Sequence, residues 1–169
     1  MFSMLVPGCS FLRPSASNQD IQLPVGKIIQ GEKVKEGGRL FIVPFSAGRK
    51  VAATDELDRI SLKIIQGVSV AVVREEAPFI LLGQSDADTA DFILKGRIVE
   101  KKKSWGFKKW VLRQKKHSLA VKGEMIDREA GQVILTFSHN RSSKDAEQNF
   151  ESLGVQIGED IVQFVLSGR

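Results

Sequence analysis

The stretch DFILKGRIVE, from Asp91 to Glu100, decides the fold because apolar and charged side chains alternate along it. Successive side chains of a strand point to opposite faces, so a period of two indicates a strand with one buried face. We therefore predict a half-buried strand here. Its apolar face carries Phe92, Leu94 and Ile98, and its polar face carries Lys95, Arg97 and Lys101.

The residues that follow predict two more strands, which complete an antiparallel meander. Asp127 to Gly131 reads as the turn between them, with Gly131 suited to the positive φ that hairpin loops need. The third strand runs through Val133, Leu135 and Phe137. The second strand, near Trp110 to Ile126, places on one face His117, Leu119, Val121 and Met125.

A long helix is predicted before the meander. Thr54 is a good N-cap, and Asp55 and Glu56 would complement the helix dipole in the first turn. Arg74-Glu75-Glu76 and Pro78 end it. Steps of three and four residues create one apolar face, made of Leu57, Ile60, Ile64, Val68 and Val72.

A second helix is predicted at the carboxyl end, with Ser142 or Ser143 as its cap. Gly154 and Gly158 form a GxxxG pattern, which we interpret as allowing close packing on the sheet. The apolar stripe consists of Phe150, Leu153, Ile157, Ile161 and Phe164.

The remaining segments complete an α+β fold. Arg39 to Phe45 predicts a buried strand, Phe79 to Leu82 a short one, and Ile21 to Ile29 an irregular edge strand. Ser85 to Ala90 reads as a helical turn. We predict a mixed β-sheet with a long helix after the first strand, a three-stranded antiparallel meander and a C-terminal helix, the helices packed on one sheet face. Residues 39–169 would form this domain, after a truncated signal segment (1–9) and a tether with an irregular lead-in (10–38).

Composition places the chain among ordinary globular proteins. Its 169 residues suit one domain, and 42% hydrophobic with 27% charged residues argues against wholesale disorder. No apolar run approaches the roughly 20 residues of a membrane-spanning helix. The single cysteine, Cys9, excludes an intrachain disulfide framework.

The amino-terminal run LVPGCS, from Leu5 to Ser10, resembles a bacterial lipobox, although Pro7 stands where Ala or Ser is usual. The resemblance implies that Cys9 carries the lipid, and Ser10 after it implies sorting to the periplasmic face of the outer membrane. Phe11 to Asp20 reads as a polar tether. The alternative is an incidental free cysteine on a frayed terminus.

Three motifs resemble those of bacterial envelope proteins: VPFSAG (43–48), ADFILKGRIVE (90–100) and MIDREAGQVI (125–134). They are similar to lipoproteins of the curli-secretion type, to the amino-terminal domain of TolB and to lipoprotein activators of penicillin-binding proteins. The resemblance implies an α/β core in the periplasm and a non-enzymatic role in envelope assembly, secretion or regulation.

The most unusual segment is KKKSWGFKKWVLRQKK, from Lys101 to Lys116. Lys95 to Lys122 holds eleven Lys/Arg residues and one acidic residue, a charge of +10 in a chain of +5, so the rest carries −5. Cations attract phosphates, and exposed aromatics stack on bases or enter lipid interfaces. The candidate anion-binding residues are Lys101, Lys102, Lys103, Trp105, Phe107, Lys108, Lys109, Trp110, Arg113, Lys115 and Lys116.

The partner of this segment depends on the compartment. With a lipidated Cys9, we expect an envelope protein or an anionic membrane surface. In the cytosol, single-stranded nucleic acid becomes the alternative, although no RNA-binding signature is present. A solvated charge run whose aromatics fold onto the core is the remaining interpretation.

Catalytic and metal motifs are absent from the sequence. Asp86, Asp88 and Asp91 lack EF-hand spacing and read as helix-start residues. His117 and His139 are far apart, and no zinc spacing, P-loop, dinucleotide fingerprint or nucleophile elbow occurs. We therefore expect no enzyme activity, no cofactor and no metal.

Overall fold

The computed structural model describes residues 23–106, 114–143 and 148–168. Cys9 and the predicted tether lie outside the described residues. Among the helices of the described part, none combines the length and apolarity needed to cross a membrane.

The fold is a mixed seven-stranded sheet with helices packed on it, which confirms the predicted α+β class. The strands order as β1-β7-β6-β5-β2-β4, with β3 paired to β5. Their bounds are β1 Val25–Ile28, β2 Gly38–Ile42, β3 Ser46–Ala47, β4 Phe79–Leu81, β5 Phe92–Gly106, β6 Gln114–Asp127 and β7 Gln132–Ser142. The helices are α1 Gly31–Glu36, α2 Asp55–Arg74 and α3 Phe150–Ser167, with a 3-10 turn at Gln84–Thr89.

The predicted meander is confirmed as β5, β6 and β7, which pair antiparallel in sequence order. Its turn follows from Asp127, whose Oδ1 accepts from the Ala130 N–H at 2.9 Å, and from Gly131 at φ 64°. β2 joins the other side of β5 in parallel, and β1 closes the β7 edge. The meander therefore forms the centre of the sheet.

The helix α2 begins as the sequence predicts. Thr54 accepts a hydrogen bond at its Oγ1 from the Leu57 N–H, at 3.3 Å. The predicted apolar face is buried, and Ile60 and Ile64 are fully enclosed. This face packs into a single core with the apolar side of the meander.

The helix α3 begins later than predicted, so the assignment of Ser142 or Ser143 as its cap is wrong. Ser142 ends β7, and the Ser143 hydroxyl accepts from the His117 N–H at 2.8 Å. Asn149 caps the helix instead, in a reciprocal capping box with Ser152. Both serines are committed to the sheet, which leaves them unable to cap.

The glycine pair of α3 packs on α2 and not on the sheet, which corrects the predicted contact. A Cβ at Gly158 would lie 2.6 Å from the Val68 backbone nitrogen, and one at Gly154 would lie 3.1 Å from the Ile60 carbonyl oxygen. On the other helix, Gly67 faces the Val155 backbone as closely. The two helices therefore approach backbone to backbone.

A β-bulge in β5 changes the predicted alternation. The β5–β6 register shifts between Ile98 and Glu100, so Val99 is the extra residue. Lys101 pairs with Leu119, whose side chain is buried under the helices. The prediction that Lys101 shares a face with Lys95 and Arg97 is therefore wrong. Lys101 points to the helix side of the sheet.

Candidate functional site

The strands β5 and β6 extend beyond the rest of the sheet. The last β6–β7 pair that the structure describes is Ser118–Ser142. The β5–β6 ladder continues from Lys103–His117 to Gly106–Gln114. We call residues 101–106 and 114–118 the basic arm, because it holds the described part of the predicted cationic segment. The arm starts where the bulge at Val99 redirects β5.

Lys101 anchors the base of the basic arm to both helices. Its Nζ forms an ion pair with Glu56 in the first turn of α2. It also lies 5.3 Å from the centroid of the Phe150 ring, at the start of α3. Only 21% of the Lys101 side chain is exposed. Lys101 is therefore a structural contact, and its charge is largely used inside the protein.

The next described lysines differ from Lys101 because they face solvent. Lys102 is 70% exposed and pairs with its own strand neighbour Glu100 at 3.0 Å. Lys103 and Lys116 are exposed, and no ion pair forms on either among the residues that the structure describes. By register, Lys102 and Lys116 lie on one face of the arm and Lys103 on the other. The arm thus offers cations on both faces.

A cleft of about 310 Å³ lies between the arm and the two helix N-termini. His117 lines it and is buried, with its ring centroid 4.7 Å from that of Phe150 in an edge-on contact. Its Nδ1 is buried without a hydrogen-bond partner among the described residues. The charges that line the cleft nearly balance, because Lys101 pairs with Glu56 and Arg59 pairs with Glu151.

The structure describes only part of the remaining predicted site residues. Cys9 lies outside the described residues, as do Phe107, Lys108, Lys109, Trp110 and Arg113. Trp105 and Lys115 pair with each other in the backbone ladder. The structure brings together Lys101, Lys102, Lys103 and Lys116 at the root of the arm. Sequence reasoning missed Glu56 and Phe150 as partners of Lys101, because nothing in a sequence links positions so far apart.

The acidic residues weighed as metal ligands make structural contacts. Arg39 donates two side-chain hydrogen bonds to Asp91, at 3.1 and 2.8 Å, and a third from its backbone N–H. These hydrogen bonds lower the pKa of Asp91 to about 2. Asp88 lies 3.5 Å from Arg128. In the described ranges, no three His, Cys, Asp or Glu side chains group as a metal site requires.

His139 and Asp160 form a buried polar contact between the last strand and the last helix. The Nε2 of His139 lies 2.7 Å from Asp160 Oδ2. Arg141 donates to both oxygens of that carboxylate, at 2.6 and 2.7 Å. His139 and Arg141 stand on β7 and Asp160 on α3, so this cluster fastens the last helix to the sheet.

No known protein family matches the chain, and no curated protein matches it either. Solved structures share the fold at low identity. A PelC variant from Paraburkholderia phytofirmans, a dodecamer, has a TM-score of 0.58 at 12% identity over 85% of this chain and 97% of that chain. A second PelC dodecamer from the same organism has a TM-score of 0.55 at 12% identity, over 84% and 95%. Lipoprotein GNA1162 from Neisseria meningitidis has a TM-score of 0.47 at 14% identity, over 75% and 96%.

The likeness to the two PelC structures concerns the fold alone. The α/β core that the family resemblance implied is present, with its central meander and two long helices. Membership of the curli-secretion, TolB or activator group remains a prediction, as do lipidation and location.

Proposed function

We propose that the chain is a non-enzymatic, lipid-anchored domain of a bacterial envelope that docks an anionic membrane surface through the basic arm. The observation that carries the proposal is the exposure of Lys102, Lys103 and Lys116 on a two-stranded projection. A cation near an anionic leaflet contributes about 1 kcal/mol. Lysines on a projecting arm can contact such a surface while the rest of the domain stays in solvent.

The sequence adds two arguments for a membrane. The LVPGCS run would attach the chain through Cys9, and a di- or triacyl anchor holds far more firmly than one chain. The segment between the described strands of the arm holds Phe107, Lys108, Lys109, Trp110 and Arg113, a composition typical of interfacial contacts. A di- or triacyl anchor already supplies two acyl chains, so the basic contact would add to an attachment that is stable by itself.

Self-association is part of the proposal, because the PelC structures with this fold are dodecamers. Several arms on one assembly would engage a surface together, and linked weak contacts gain strongly in avidity. Sedimentation-velocity ultracentrifugation of the purified chain over a range of concentrations measures this directly. A chain that is monomeric at every concentration would contradict self-association, and the arm contact would then be tested separately.

Binding of full-length Cys9→Ala protein to vesicles tests the arm without the lipid. The triple variant Lys102→Gln/Lys103→Gln/Lys116→Gln should lose about 3 kcal/mol of affinity for phosphatidylglycerol vesicles, from about 1 kcal/mol per lysine. Its binding should also become less sensitive to salt, which screens charges beyond about 8 Å at physiological ionic strength. Trp105→Ala should weaken binding with less effect on the salt response.

Matched controls separate the arm from net charge. Lys35→Gln/Lys50→Gln/Lys63→Gln removes the same charge from positions outside the arm and should bind nearly as the parent does. Equal losses in both triple variants would show that only net charge matters. Tight binding of single-stranded oligonucleotides, with none to vesicles, would establish the nucleic-acid alternative. Palmitate labelling of the wild-type chain that Cys9→Ala abolishes would support the anchor, and an unlabelled wild type would remove it.

A further inference from the structure

A row of donor side chains crosses the sheet on the face away from α2 and α3. Ser46 of β3 pairs with Arg97 of β5, Arg97 with Lys122 of β6, and Lys122 with Ser138 of β7. Directly paired residues point to the same face, with Cβ atoms about 4.5–5.5 Å apart in antiparallel strands. We call Ser46, Arg97, Lys122 and Ser138 the donor row. Ser46, Arg97 and Lys122 line an open cleft of about 430 Å³ together with Val43 and Pro44, and Ser138 continues the row on β7 outside that lining.

The two cations of the donor row have no counter-charge. In the part of the chain that the structure describes, neither Arg97 nor Lys122 forms an ion pair, and neither serine hydroxyl has a hydrogen bond. The adjacent pair in the same ladder is compensated, because Lys95 lies 3.2 Å from Glu124. Like charges directly opposite each other destabilise a sheet. An anion held between Arg97 and Lys122 would remove that repulsion.

Buried aromatic rings hold the backbone of the donor row in place. Gly96 and Gly123 pair with each other beside Arg97 and Lys122, and their missing Cβ atoms leave room on the helix side. The ring of Phe45 covers Gly96, and the ring of Phe137 covers Gly123. Both phenylalanines are buried. The row therefore stands on a packed part of the sheet, so few backbone changes are needed to bind a ligand.

We propose that the donor row is a binding site for a phosphate monoester. Arg97 offers a planar fork, Lys122 a point charge, and Ser46 on the same cleft a neutral donor, a set that suits an anion with several acceptor oxygens. A phosphate monoester carries about −1.5 to −2 charges at pH 7, which matches the two cations. A carboxylate would leave one cation unpaired. The site lies on the sheet and not on the basic arm, so it goes beyond the proposed function.

Backbone amide shifts in an NMR titration of the full-length chain test this site. Glycerol 3-phosphate should shift the amides around Arg97 and Lys122 saturably, and acetate at equal ionic strength should bind at least tenfold more weakly. Arg97→Gln/Lys122→Gln should weaken phosphate binding at least tenfold. Lys95→Gln, which removes a charge from the same cleft, should change it less than twofold. The single variant Lys122→Gln serves if the double variant does not fold.

Three results would overturn the proposal: shifts that grow linearly without saturation, equal affinity for acetate, or unchanged binding in Arg97→Gln/Lys122→Gln. Vesicles of phosphatidic acid identify the source of the phosphate. Loss of vesicle binding in the Arg97/Lys122 variant assigns a lipid headgroup, and unchanged vesicle binding assigns a soluble phosphate ester. Both outcomes presuppose the saturable shift. Because the basic arm is intact in these variants, failure of this site is separate from failure of the proposed function.

Discussion

Replacing Asp160 by asparagine should remove the charge that fastens α3 to β7. The carboxylate accepts from Arg141 at 2.6 and 2.7 Å and contacts His139 at 2.7 Å. The side chains of Asp160, Arg141 and His139 are 5%, 11% and 3% exposed, so water cannot replace the lost partner. Asparagine keeps the volume, which leaves the electrostatic change as the cause.

The expected cost follows from this burial. Removing one partner of a buried ion pair costs about 3–5 kcal/mol, because the other charge stays buried and unpaired. In a protein of this size each kcal/mol lowers Tm by about 2–4 °C, so Asp160→Asn should melt roughly 6–20 °C below wild type. Urea unfolding at pH 7, followed by circular dichroism, measures the free energy of unfolding.

The adjacent residue provides the matched control. Glu159 lies on the same helix and pairs at 3.1 Å with Arg74, and the two side chains are 21% and 49% exposed. Ion pairs that solvent reaches contribute about 0–1 kcal/mol, so Glu159→Gln should cost about that much. If Asp160→Asn unfolds within about 1 kcal/mol of Glu159→Gln, the buried cluster does not stabilise the helix as argued.

Two further predictions concern pH and helix packing. Arg39 lowers the pKa of Asp91 from 3.8 to about 2, so this contact stabilises the fold above about pH 4 and is lost as pH falls towards 2. The stability difference between wild type and Asp91→Asn should therefore hold from pH 7 to 5 and shrink below pH 4; urea titrations that show it unchanged at pH 2 would contradict this. Gly158→Ala should cost about 1–3 kcal/mol in urea unfolding, because its Cβ would overlap the α2 backbone. Gly154→Ala, with looser contacts, should cost less, and the reverse order would show that the helix contact is assigned wrongly.

Much of the fold could be predicted from the sequence, because the features that specify these elements are local. The alternation after Asp91 predicted the strand β5, the turn chemistry of Asp127 and Gly131 predicted the hairpin, and Thr54 predicted the start of α2. Each depends on residues within a few positions of one another. Strand periodicity, turn residues and caps are the features that a sequence carries most directly.

The errors have a common physical origin in tertiary contacts. Ser143 has the chemistry of a cap, but its hydroxyl is taken by the His117 N–H across the sheet. The GxxxG pattern predicted close packing, yet a sequence does not say whether a helix or a sheet is the partner, and here Gly158 meets α2. Both outcomes depend on which elements become neighbours.

The candidate site was predictable as a charge excess and not as a geometry. Counting lysines located the basic segment between Lys101 and Lys116. Counting could not show that Lys101 would pair with Glu56 while Lys103 stayed exposed. Nor could it find the donor row, whose members come from separate strands and meet only through register.

The bulge at Val99 decides which face of the sheet each later residue of β5 occupies. Every residue after Val99 is displaced by one position in the ladder. This one extra residue therefore sets which side chains face the helices. If Val99 entered the ladder opposite Ala120, Glu100 would pair with Leu119 in the place of Lys101, and Lys101 would turn to the opposite face. The composition of the chain would not change, while the two faces of the arm would exchange their side chains. Deleting Val99 would instead leave Lys101 opposite Leu119, so homologues that lack Val99 are expected to lose the bulge and to keep a cation beside Glu56.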